Sequence, residues 1–301
     1  MKNYFIKGIK FLKDKDYRFD ILSNFGFYDS MDDNEYLKKK YKSRTYNDLN
    51  LNNPITFNEK LQWLKLNDRN PKYTDMVDKY EVKRYVSNLI GDEYIIPTLG
   101  VYDKFDDIDF NKLPNQFVIK CTHDSGGIIV VKNKNSFNIK DARKKINKCL
   151  KRNFYYYGRE WPYKNVKPRI IVEKFMEDKI QKDILDYKFF CFDGKVEYMY
   201  ISAGSHSKNQ RLQYFNKDFE PVDCKRSDYY EFDVIPKKPN RYNQMLELAE
   251  KLSPNIKHVR VDFYEINGQI YFSEFTFYTG SGFIPFEDKY WDRKLGNLIK
   301  L

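Results

Sequence analysis

The sequence predicts an α+β fold, because segments typical of strands and helices are mixed without strict alternation. Strand segments occur in adjacent runs: residues 117–120 precede 128–131, and residues 187–192 precede 196–202. Amphipathic segments typical of helices lie between and before these runs. With 301 residues, of which 41% are hydrophobic and 18% aromatic, the chain is long enough for two or three subdomains and too apolar for intrinsic disorder.

The helices are predicted from capping residues and apolar periodicity. Thr56 and Glu59 have the spacing of a capping box, and an amphipathic run with Leu61 and Leu64 follows them. A second helix is predicted to end before Gly91. The predicted bounds of this helix and of two later ones are residues 75–89, 139–150 and 241–252.

Two further segments are predicted as strands or linkers. Residues 94–101 contain Pro97 and are interpreted as a linker or a short edge strand. Residues 169–176 form a buried strand, because their centre is continuously apolar. The chain is therefore expected to place short strands on both sides of the helix at residues 139–150.

Composition narrows the classes of function. The formal charge of +11 fits an anionic substrate such as a nucleotide or a polyanionic polymer, although a lysine-rich composition also arises from an AT-rich genome. Lysines are spread along the chain without a recognition motif, so nucleic-acid binding is not expected. The four cysteines lack metal-site spacing and are expected to be reduced thiols of a cytoplasmic protein.

No apolar run reaches the roughly 18 residues that a membrane helix needs. Residues 1–22 are basic and amphipathic, and lysines interrupt them too often for a signal peptide. Such a segment either contacts an anionic membrane surface peripherally or packs on its own domain.

A β-hairpin at residues 259–276 is the strongest candidate for a functional site. Asn267 and Gly268 form a typical hairpin turn, and each flanking strand carries one carboxylate among apolar residues, Asp262 and Glu274. A lone buried carboxylate is costly, so two that converge usually share a cation or a proton. This hairpin is therefore a candidate floor for Mg²⁺ and phosphate.

The two carboxylates meet only if the strands pair in the right register. A two-residue loop would pair Asp262 with Ser273 and turn Glu274 to the opposite face. A three-residue loop or a bulge would bring Asp262 and Glu274 to one face, together with Arg260 and Thr276. The metal interpretation therefore predicts an odd-length loop or a bulge. The alternative is an edge hairpin with solvated charges.

A glycine-containing loop after the strand at residues 117–120 is a second candidate. Lys120 ends this apolar strand, and His123, Asp124, Ser125, Gly126 and Gly127 follow. The small residues would let backbone N–H groups approach a phosphate closely, while Lys120 supplies a positive charge. The alternative is an ordinary β-turn, and His123 is either a base or a loop residue bonded to its neighbours.

A third candidate is the end of the strand at residues 169–176. The residues Glu173, Lys174, Phe175 and Met176 could form an adenine slot, with backbone groups on the purine edge and an apolar side chain on the ring. The acidic run at residues 106–109 resembles the metal motif of nucleotide-sugar glycosyltransferases, but it lies in a polar turn typical of a solvated loop.

The order of these motifs resembles the ATP-grasp superfamily, and specifically its TupA-like branch, which is associated with bacterial cell-surface polysaccharide synthesis. The strings that carry the resemblance are residues 55–63, 117–126, 186–194 and 274–282. They extend from about residue 50 to the end of the chain. The resemblance implies an N-terminal, mostly helical region at residues 1–97, then two α+β subdomains at 98–176 and 177–301 that clasp a nucleotide.

The resemblance also implies roles for individual residues. Lys83 and Lys120 would contact the α- and β-phosphates of ATP, and the loop at residues 123–127 would close over the γ-phosphate. Residues 173–176 would bind adenine, Asp186 the ribose, and Lys188 a further phosphate. In the hairpin, Asp262, Glu274 and Thr276 would bind Mg²⁺ (or Mn²⁺). Arg260 would stabilise the negative charge that develops in the transition state.

The implied activity is an ATP-dependent ligase that joins a carboxylate to an amine through an acyl phosphate. The substrates would be a carboxylated sugar or glycan precursor and an amino acid or amine. Many ATP-grasp ligases carry Asn where this chain has Thr276, which puts the second metal position in doubt. The alternatives are a kinase-type ATP-grasp enzyme, a nucleotide-sugar glycosyltransferase with its metal at residues 106–109, and a degenerate nucleotide-binding scaffold protein without ATP turnover.

Overall fold

Two antiparallel sheets and a set of surrounding helices make up the molecule. The structure, a computed structural model, describes residues 2–179, 184–204 and 210–301, with side chains described from residue 7 onward. The helices are α1 (Lys2–Lys13), α2 (Lys15–Ser23), α3 (Asp33–Thr45), α4 (Phe57–Asn67), α5 (Lys72–Val77), α6 (Glu81–Ile90), α7 (Ile139–Leu150), α8 (Tyr155–Gly158), α9 (Tyr242–Leu252) and α10 (Lys289–Leu298). The strands are β1 (Thr98–Tyr102), β2 (Phe117–Cys121), β3 (Ile128–Val131), β4 (Ile170–Lys174), β5 (Asp186–Phe192), β6 (Lys195–Ala203), β7 (Arg211–Asn216), β8 (Pro221–Val222), β9 (His258–Ile266) and β10 (Gln269–Thr276).

The smaller sheet has four strands in the order β1–β4–β2–β3, all antiparallel. Helix α7 covers one face, and Ala142, Ile146 and Cys149 of this helix belong to the same apolar core as Phe117 and Ile119 of β2. Because side chains alternate along β2, Lys120 points away from this core. The apolar core thus covers one face of the smaller sheet, and the opposite face can carry polar side chains such as Lys120.

The larger sheet has six strands in the order β10–β9–β5–β6–β7–β8. Strand β5 lies at its centre and is buried throughout, as expected for a strand with neighbours on both sides. Helices α4, α5, α6, α9 and α10 contribute apolar side chains to the same core as this sheet. Residues 57–94, predicted to belong to an N-terminal region, therefore pack with the larger sheet.

A third, smaller apolar cluster is built mainly from described residues before residue 50. Phe19, Tyr36, Leu37 and Tyr41 are buried together, and Phe283 from the C-terminal part completes the cluster. The guanidinium of Arg159 lies over the Tyr36 ring at 4.3 Å and donates to backbone carbonyls at residues 28, 29 and 31. Among the described residues, no helix combines the length and apolarity needed to cross a membrane.

The predicted helix at residues 75–89 is wrong, because the chain forms two helices with a break between them. Asp78 has an extended conformation, and its Oδ1 accepts hydrogen bonds from the N–H groups of Tyr80 (2.8 Å) and Glu81 (3.3 Å). Its Oδ2 accepts from Arg169 at 2.8 Å. An Asp side chain that bonds nearby backbone N–H groups competes with helix formation, so helix α6 starts afresh after it.

The hairpin formed by β9 and β10 has a two-residue loop, which by itself would place Asp262 and Glu274 on opposite faces. A bulge in β10 brings the two carboxylates back to the same face. Ile266 pairs with Gln269, so Asn267 and Gly268 form the loop, with φ of 51° and 75°. The pairing shifts by one residue between Phe272 and Glu274. The three-residue loop is therefore wrong and the alternative of a bulge is confirmed, since an extra residue in one strand resets the register.

Candidate nucleotide and metal site

A cleft of about 400 Å³ is lined by residues of both sheets. The smaller sheet contributes Lys120, Ile128 and Glu173, and the larger sheet contributes residues of β5, β6, β9 and β10. Among the described residues that line the cleft, six side chains are basic and four are acidic, an excess of positive charge that suits an anionic ligand. The basic ones are Lys79, Lys83, Lys120, Lys188, Arg226 and Arg260.

Glu173 joins two of the predicted phosphate lysines. Its Oε2 lies 2.6 Å from Lys120 Nζ, and its Oε1 pairs with Lys83 Nζ. Lys83 also donates to the carbonyl of Ile96 at 2.7 Å and to Thr98 Oγ1 at 2.8 Å. Burial alone would raise the pKa of Glu173, but Lys120 and Lys83 hold it below its ordinary value. Lys83, Lys120 and Glu173, which the sequence analysis predicts to bind the nucleotide, therefore lie together in the structure.

Lys79, which the sequence reasoning missed, lies between the two predicted parts of the site. Its backbone N–H donates to the Thr122 carbonyl at 3.1 Å, and its Nζ donates to the Asp124 carbonyl at 2.9 Å. Burial lowers the pKa of Lys79, and the nearby Glu274 partly offsets this. A sequence signal existed in Asp78, whose capping of the next helix places Lys79 in the break rather than on a helix face.

The glycine-containing loop reaches the cleft only through Ser125. Asp124 is buried, accepts from the Gly126 N–H at 3.0 Å and pairs with Arg152. His123 is also buried, and its Nε2 lies 3.1 Å from the Cys149 carbonyl oxygen. Neither His123 nor the two glycines line the cleft, and burial lowers the pKa of His123. The structure thus places His123 beneath the loop, away from the position that a catalytic base needs.

The hairpin forms the opposite wall, where Arg260 and Glu274 line the cleft and Asp262 lies fully buried behind them. Asp262 and Glu274 are directly paired across the strands, as are Arg260 and Thr276. Nε of Arg260 donates to Asp262 Oδ1 at 2.7 Å, and Lys188 Nζ donates to Asp262 Oδ2 at 2.7 Å. Burial would raise the pKa of Asp262, but Arg260 and Lys188 hold it below its ordinary value.

The oxygens predicted to bind the metal converge on one point. Nη2 of Arg260 stands there, 2.6 Å from Asp262 Oδ2, 2.9 Å from Thr276 Oγ1 and 3.5 Å from Glu274 Oε1. The donor set fits Mg²⁺ in kind, because Mg²⁺ takes oxygen ligands, but a cation shared by all three would take the place of this nitrogen. In the part of the chain that the structure describes, no three His, Cys, Asp or Glu side chains cluster as a metal site.

Lys188 and Asp186 extend the polar wall along β5, and both line the cleft. Lys188 Nζ lies 3.5 Å from Asp186 Oδ1. Burial would lower the pKa of Lys188, but Asp262 and Asp186 raise it above its ordinary value. Lys188 therefore carries a firmly held positive charge at the middle of the cleft.

The predicted adenine slot is only partly present in the cleft. Glu173 lines it, whereas Lys174 is exposed and neither Phe175 nor Met176 is a lining residue, because strand β4 ends at Lys174. The apolar side chains that line the cleft next to Lys83 belong instead to three residues outside residues 173–176, and Phe272 lines the cleft as well. The three are Val82, Ile95 and Ile96.

The acidic run at residues 106–109 lies away from the cleft. Asp106 pairs with Arg143 of α7 at 2.8 Å, and Ile108 is buried in the core of the smaller sheet. Asp109 caps a short turn by accepting from the Asn111 N–H at 3.1 Å. These carboxylates are spread around a turn, so the structure offers no support for a glycosyltransferase metal site here.

A nucleotide-sized cleft between two antiparallel α+β units, with a carboxylate-bearing hairpin on one wall and a lysine-bearing strand on the other, defines the ATP-grasp fold. A family model described as TupA-like ATPgrasp matches residues 59–300. The chain therefore belongs to the TupA-like ATP-grasp family. No curated protein matches the sequence.

Solved structures with a similar fold include ligases and a carboxylase. D-Alanine–D-alanine ligase from Helicobacter pylori is 18% identical, covering 75% of this chain and 61% of that one, with a TM-score of 0.40. The Bacillus anthracis enzyme complexed with ATP is 16% identical over 67% and 53%, with a TM-score of 0.37. The biotin carboxylase domain of Hydrogenobacter thermophilus 2-oxoglutarate carboxylase, in complex with MgADP, ADP and bicarbonate, is 13% identical over 67% and 39%, with a TM-score of 0.37. The chain spans about three fifths or less of the length of each.

Proposed function

We propose that this protein is an ATP- and Mg²⁺-dependent ligase that joins a carboxylate to an amine. The observation that carries the proposal is the cleft itself, which Lys120 of the smaller sheet lines together with Lys79, Lys83 and the hairpin residues Arg260 and Glu274. Phosphoryl transfer asks a protein mainly for positioning and positive charge, and this cleft supplies both. A nucleophilic side chain is unnecessary, because the substrate carboxylate attacks the phosphorus.

ATP would transfer its γ-phosphoryl group to the substrate carboxylate, which gives an acyl phosphate and releases ADP. The amine would then attack the acyl carbon, lose a proton and expel inorganic phosphate as the amide forms. Lys83 and Lys120 would hold phosphate oxygens in exchange for part of their contact with Glu173. Lys79 adds a third positive charge beside the loop. The apolar side chains next to Lys83 would contact the base, and Asp186 would bind the ribose.

The hairpin would stabilise the charge that develops during transfer. Asp262 and Glu274 would hold Mg²⁺, which neutralises phosphate charge, with Thr276 as a further oxygen ligand. Asp262 positions Lys188, which therefore meets the reacting groups without reorganising first. Arg260 would keep its Nε contact with Asp262 but would have to withdraw Nη2 from the point where the ion would bind. The Glu274 side chain is 44% exposed, whereas that of Asp262 is fully buried.

The substrates are proposed at the level of chemical class. A carboxylated sugar or glycan precursor and an amino acid or amine are inferred from the TupA-like family and from the positive cleft. We place the protein in the cytoplasm, with helix α1 available for peripheral contact with an anionic membrane surface. In α1, Lys10 and Lys13 fall in the last turn, and Leu12 is exposed.

An ADP-release screen tests the proposal. Uronic acids and nucleotide-sugar acids are tested against amino acids with MgATP. A ligase releases ADP only when acid and amine are both present, whereas a kinase-type enzyme needs a single hydroxyl acceptor. Glu274→Gln should abolish turnover while retaining the fold, and Glu220→Gln, in an exposed turn, is the matched control. Stabilisation by UDP-sugars rather than MgATP, or normal turnover in Glu274→Gln, would contradict the proposal.

A further inference from the structure

An arginine–aspartate pair lines the cleft beyond the hairpin. Arg226 Nε donates to Asp228 Oδ1 at 3.0 Å, and its Nη2 donates to Asp228 Oδ2 at 2.7 Å. The Arg226 side chain is 5% exposed, whereas that of Asp228 is 34% exposed. Both residues line the cleft, so a buried cation and an accessible anion face a ligand side by side.

The pair lies on the Arg260 side of the cleft rather than at the Glu173 end. Tyr229 stacks on the Arg226 guanidinium at 5.1 Å. Burial raises the pKa of Tyr229, Tyr200 raises it further, and the charges of Arg226 and Arg260 oppose this shift. Arg260 Nη1 in turn donates to the Tyr200 hydroxyl at 3.0 Å. Arg226 is therefore adjacent to the hairpin groups that would surround the transferred phosphoryl group.

The backbone around Arg226 is fixed. Residue 226 forms an isolated antiparallel bridge with Phe286, and the Glu287 N–H donates to the Lys225 carbonyl at 3.0 Å. A second cavity of about 570 Å³ shares Arg226 and Tyr229 with the cleft. Its remaining lining includes the apolar side chains Leu212, Val222, Phe232 and Ile235. The charged pair thus stands at the junction between the cleft and a partly apolar space.

The charges of this pair are complementary to a zwitterion. Asp228 occupies the Nε and Nη2 edge of the guanidinium, so a ligand carboxylate would be met by the Nη1 edge. Each Asp228 oxygen retains a further lone pair, which an ammonium group can use. A phosphate at this position would be repelled by Asp228, and a simple amine would contact Asp228 but leave the Nη1 edge of Arg226 unused. An α-amino acid satisfies both groups, and the second cavity has room for its side chain.

We propose that Arg226 and Asp228 bind the amine substrate, and that this substrate is an α-amino acid with a free carboxylate. The inference rests on the proposed ligase function, which leaves open whether the amine is an amino acid. It assigns the substrate carboxylate to Arg226, the α-amino group to Asp228, and the side chain to the second cavity.

Equilibrium binding tests the assignment without turnover. Calorimetry with the full chain, Mg²⁺ and a non-hydrolysable ATP analogue would screen the common L-amino acids and the D forms of alanine and glutamate. The tightest ligand is then compared with its carboxamide and its N-acetyl derivative. Each derivative should bind at least about tenfold more weakly, because each loses one charge-assisted contact.

Variants show whether this discrimination comes from the pair. Arg226→Gln should bind the amino acid and its carboxamide equally, and Asp228→Asn should no longer reject the N-acetyl derivative. Arg211→Gln and Asp233→Asn are matched controls, since this second Arg–Asp pair is solvent-exposed, 2.8 Å apart and outside the lining of both cavities. If Arg226→Gln fails to fold, Arg226→Lys keeps the charge while losing the planar geometry, and should weaken amino-acid binding without affecting binding of the ATP analogue.

The inference is overturned if the amino acid and both derivatives bind equally, if no amino acid binds, or if neither variant changes the preference. Its failure is distinguishable from failure of the proposed function. ADP release with amines that lack a carboxylate would support the ligase and remove this site. Selective amino-acid binding without ATP turnover would retain the site and remove the ligase.

Discussion

Two buried carboxylates of the site, Glu173 and Asp262, are each matched with two basic side chains. Glu173 lies between Lys83 and Lys120, and Asp262 accepts hydrogen bonds from Arg260 and Lys188. Removing a carboxylate from water costs several kcal/mol, so such groups remain ionised only beside compensating charge. The same pairing keeps the basic side chains in place, which prepares them to exchange a carboxylate for a phosphate.

Replacing Glu173 with Gln should therefore destabilise the protein. We expect a loss of about 3 kcal/mol in the free energy of unfolding at neutral pH, because two lysines lose their counter-charge. The pKa of Glu173 is held below 4.5 in the folded protein, so its contribution is complete above that pH. It disappears as pH falls through the lowered pKa. Urea unfolding at several pH values measures this, and an equal acid dependence in the variant would contradict it.

Lys79→Ala tests the residue that the sequence reasoning missed. Its ammonium group lies near Glu274 and the glycine-containing loop, so its loss should weaken ATP binding by about tenfold or more. Lys112→Ala is a suitable control, because Lys112 is 84% exposed and pairs only with Asp109 among the described residues. Unchanged ATP affinity in Lys79→Ala, measured by calorimetry, would exclude a phosphate contact.

At the scale of single residues, the sequence predicted a site residue when that residue differed clearly from its immediate neighbours. Lys120, Glu173, Asp262 and Glu274 could be identified because a charge within an apolar strand is conspicuous. Lys79 was missed, since a lysine in a lysine-rich chain carries no such contrast and its sequence signal lay in the neighbouring capping residue Asp78. The lining role of the residues around Arg226 was also missed, because it depends on strands far apart in sequence. A contact between segments that are far apart in sequence cannot be predicted from the pattern of either segment alone.

Two short elements shape the site, namely the bulged hairpin and the loop between β2 and β3. The bulge between Phe272 and Glu274 places Glu274 opposite Asp262. In the loop, the Cys121 N–H donates to the Gly127 carbonyl at 2.8 Å, which closes the turn tightly. In the hairpin, the extra residue of the bulge sets the direction of Glu274. In the loop, the hydrogen bond to Gly127 sets the path of the backbone between β2 and β3.

Gly127→Ala should disturb the loop, whereas Gly126→Ala should be tolerated. An added Cβ at Gly127 would lie 2.7 Å from Cys121 Sγ and 2.9 Å from Cys121 Cβ, both inside the core. At Gly126 the nearest atom is Arg152 Nη2 at 3.2 Å, the end of an exposed side chain. We expect Gly127→Ala to cost about 1–3 kcal/mol of unfolding free energy. Equal thermal stability of the two variants would contradict this account.

The elements themselves were largely predictable. The hairpin, the strands around the loop and the helix at residues 139–150 agree with periodicity and turn signals, and residues 98–102 form the predicted edge strand. The helix break at Asp78 was mispredicted, and of the two ways predicted to bring Asp262 and Glu274 together the bulge formed and the three-residue loop did not. In both cases one side chain or one inserted residue outweighed a longer pattern, because local hydrogen bonds decide such boundaries.

At the scale of the whole molecule, two apolar cores flank one charged cleft. The smaller core lies beneath β2 and β4, and the larger one joins the six-stranded sheet to helices on both sides of it in sequence. The sequence predicted an α+β fold, which the structure and the family match confirm. The subdomain boundaries at residues 97 and 176 stay a prediction, although each sheet falls within its expected range.

Calorimetric titration of MgATP into the protein tests the central claim most directly. If the cleft between the two sheets is a nucleotide site, ATP should bind one-to-one. Its affinity should fall about tenfold or more in Lys120→Ala, and it should lose its dependence on Mg²⁺ in Glu274→Gln. Absence of binding, or equal affinity with equal Mg²⁺ dependence in wild type and both variants, would contradict the account.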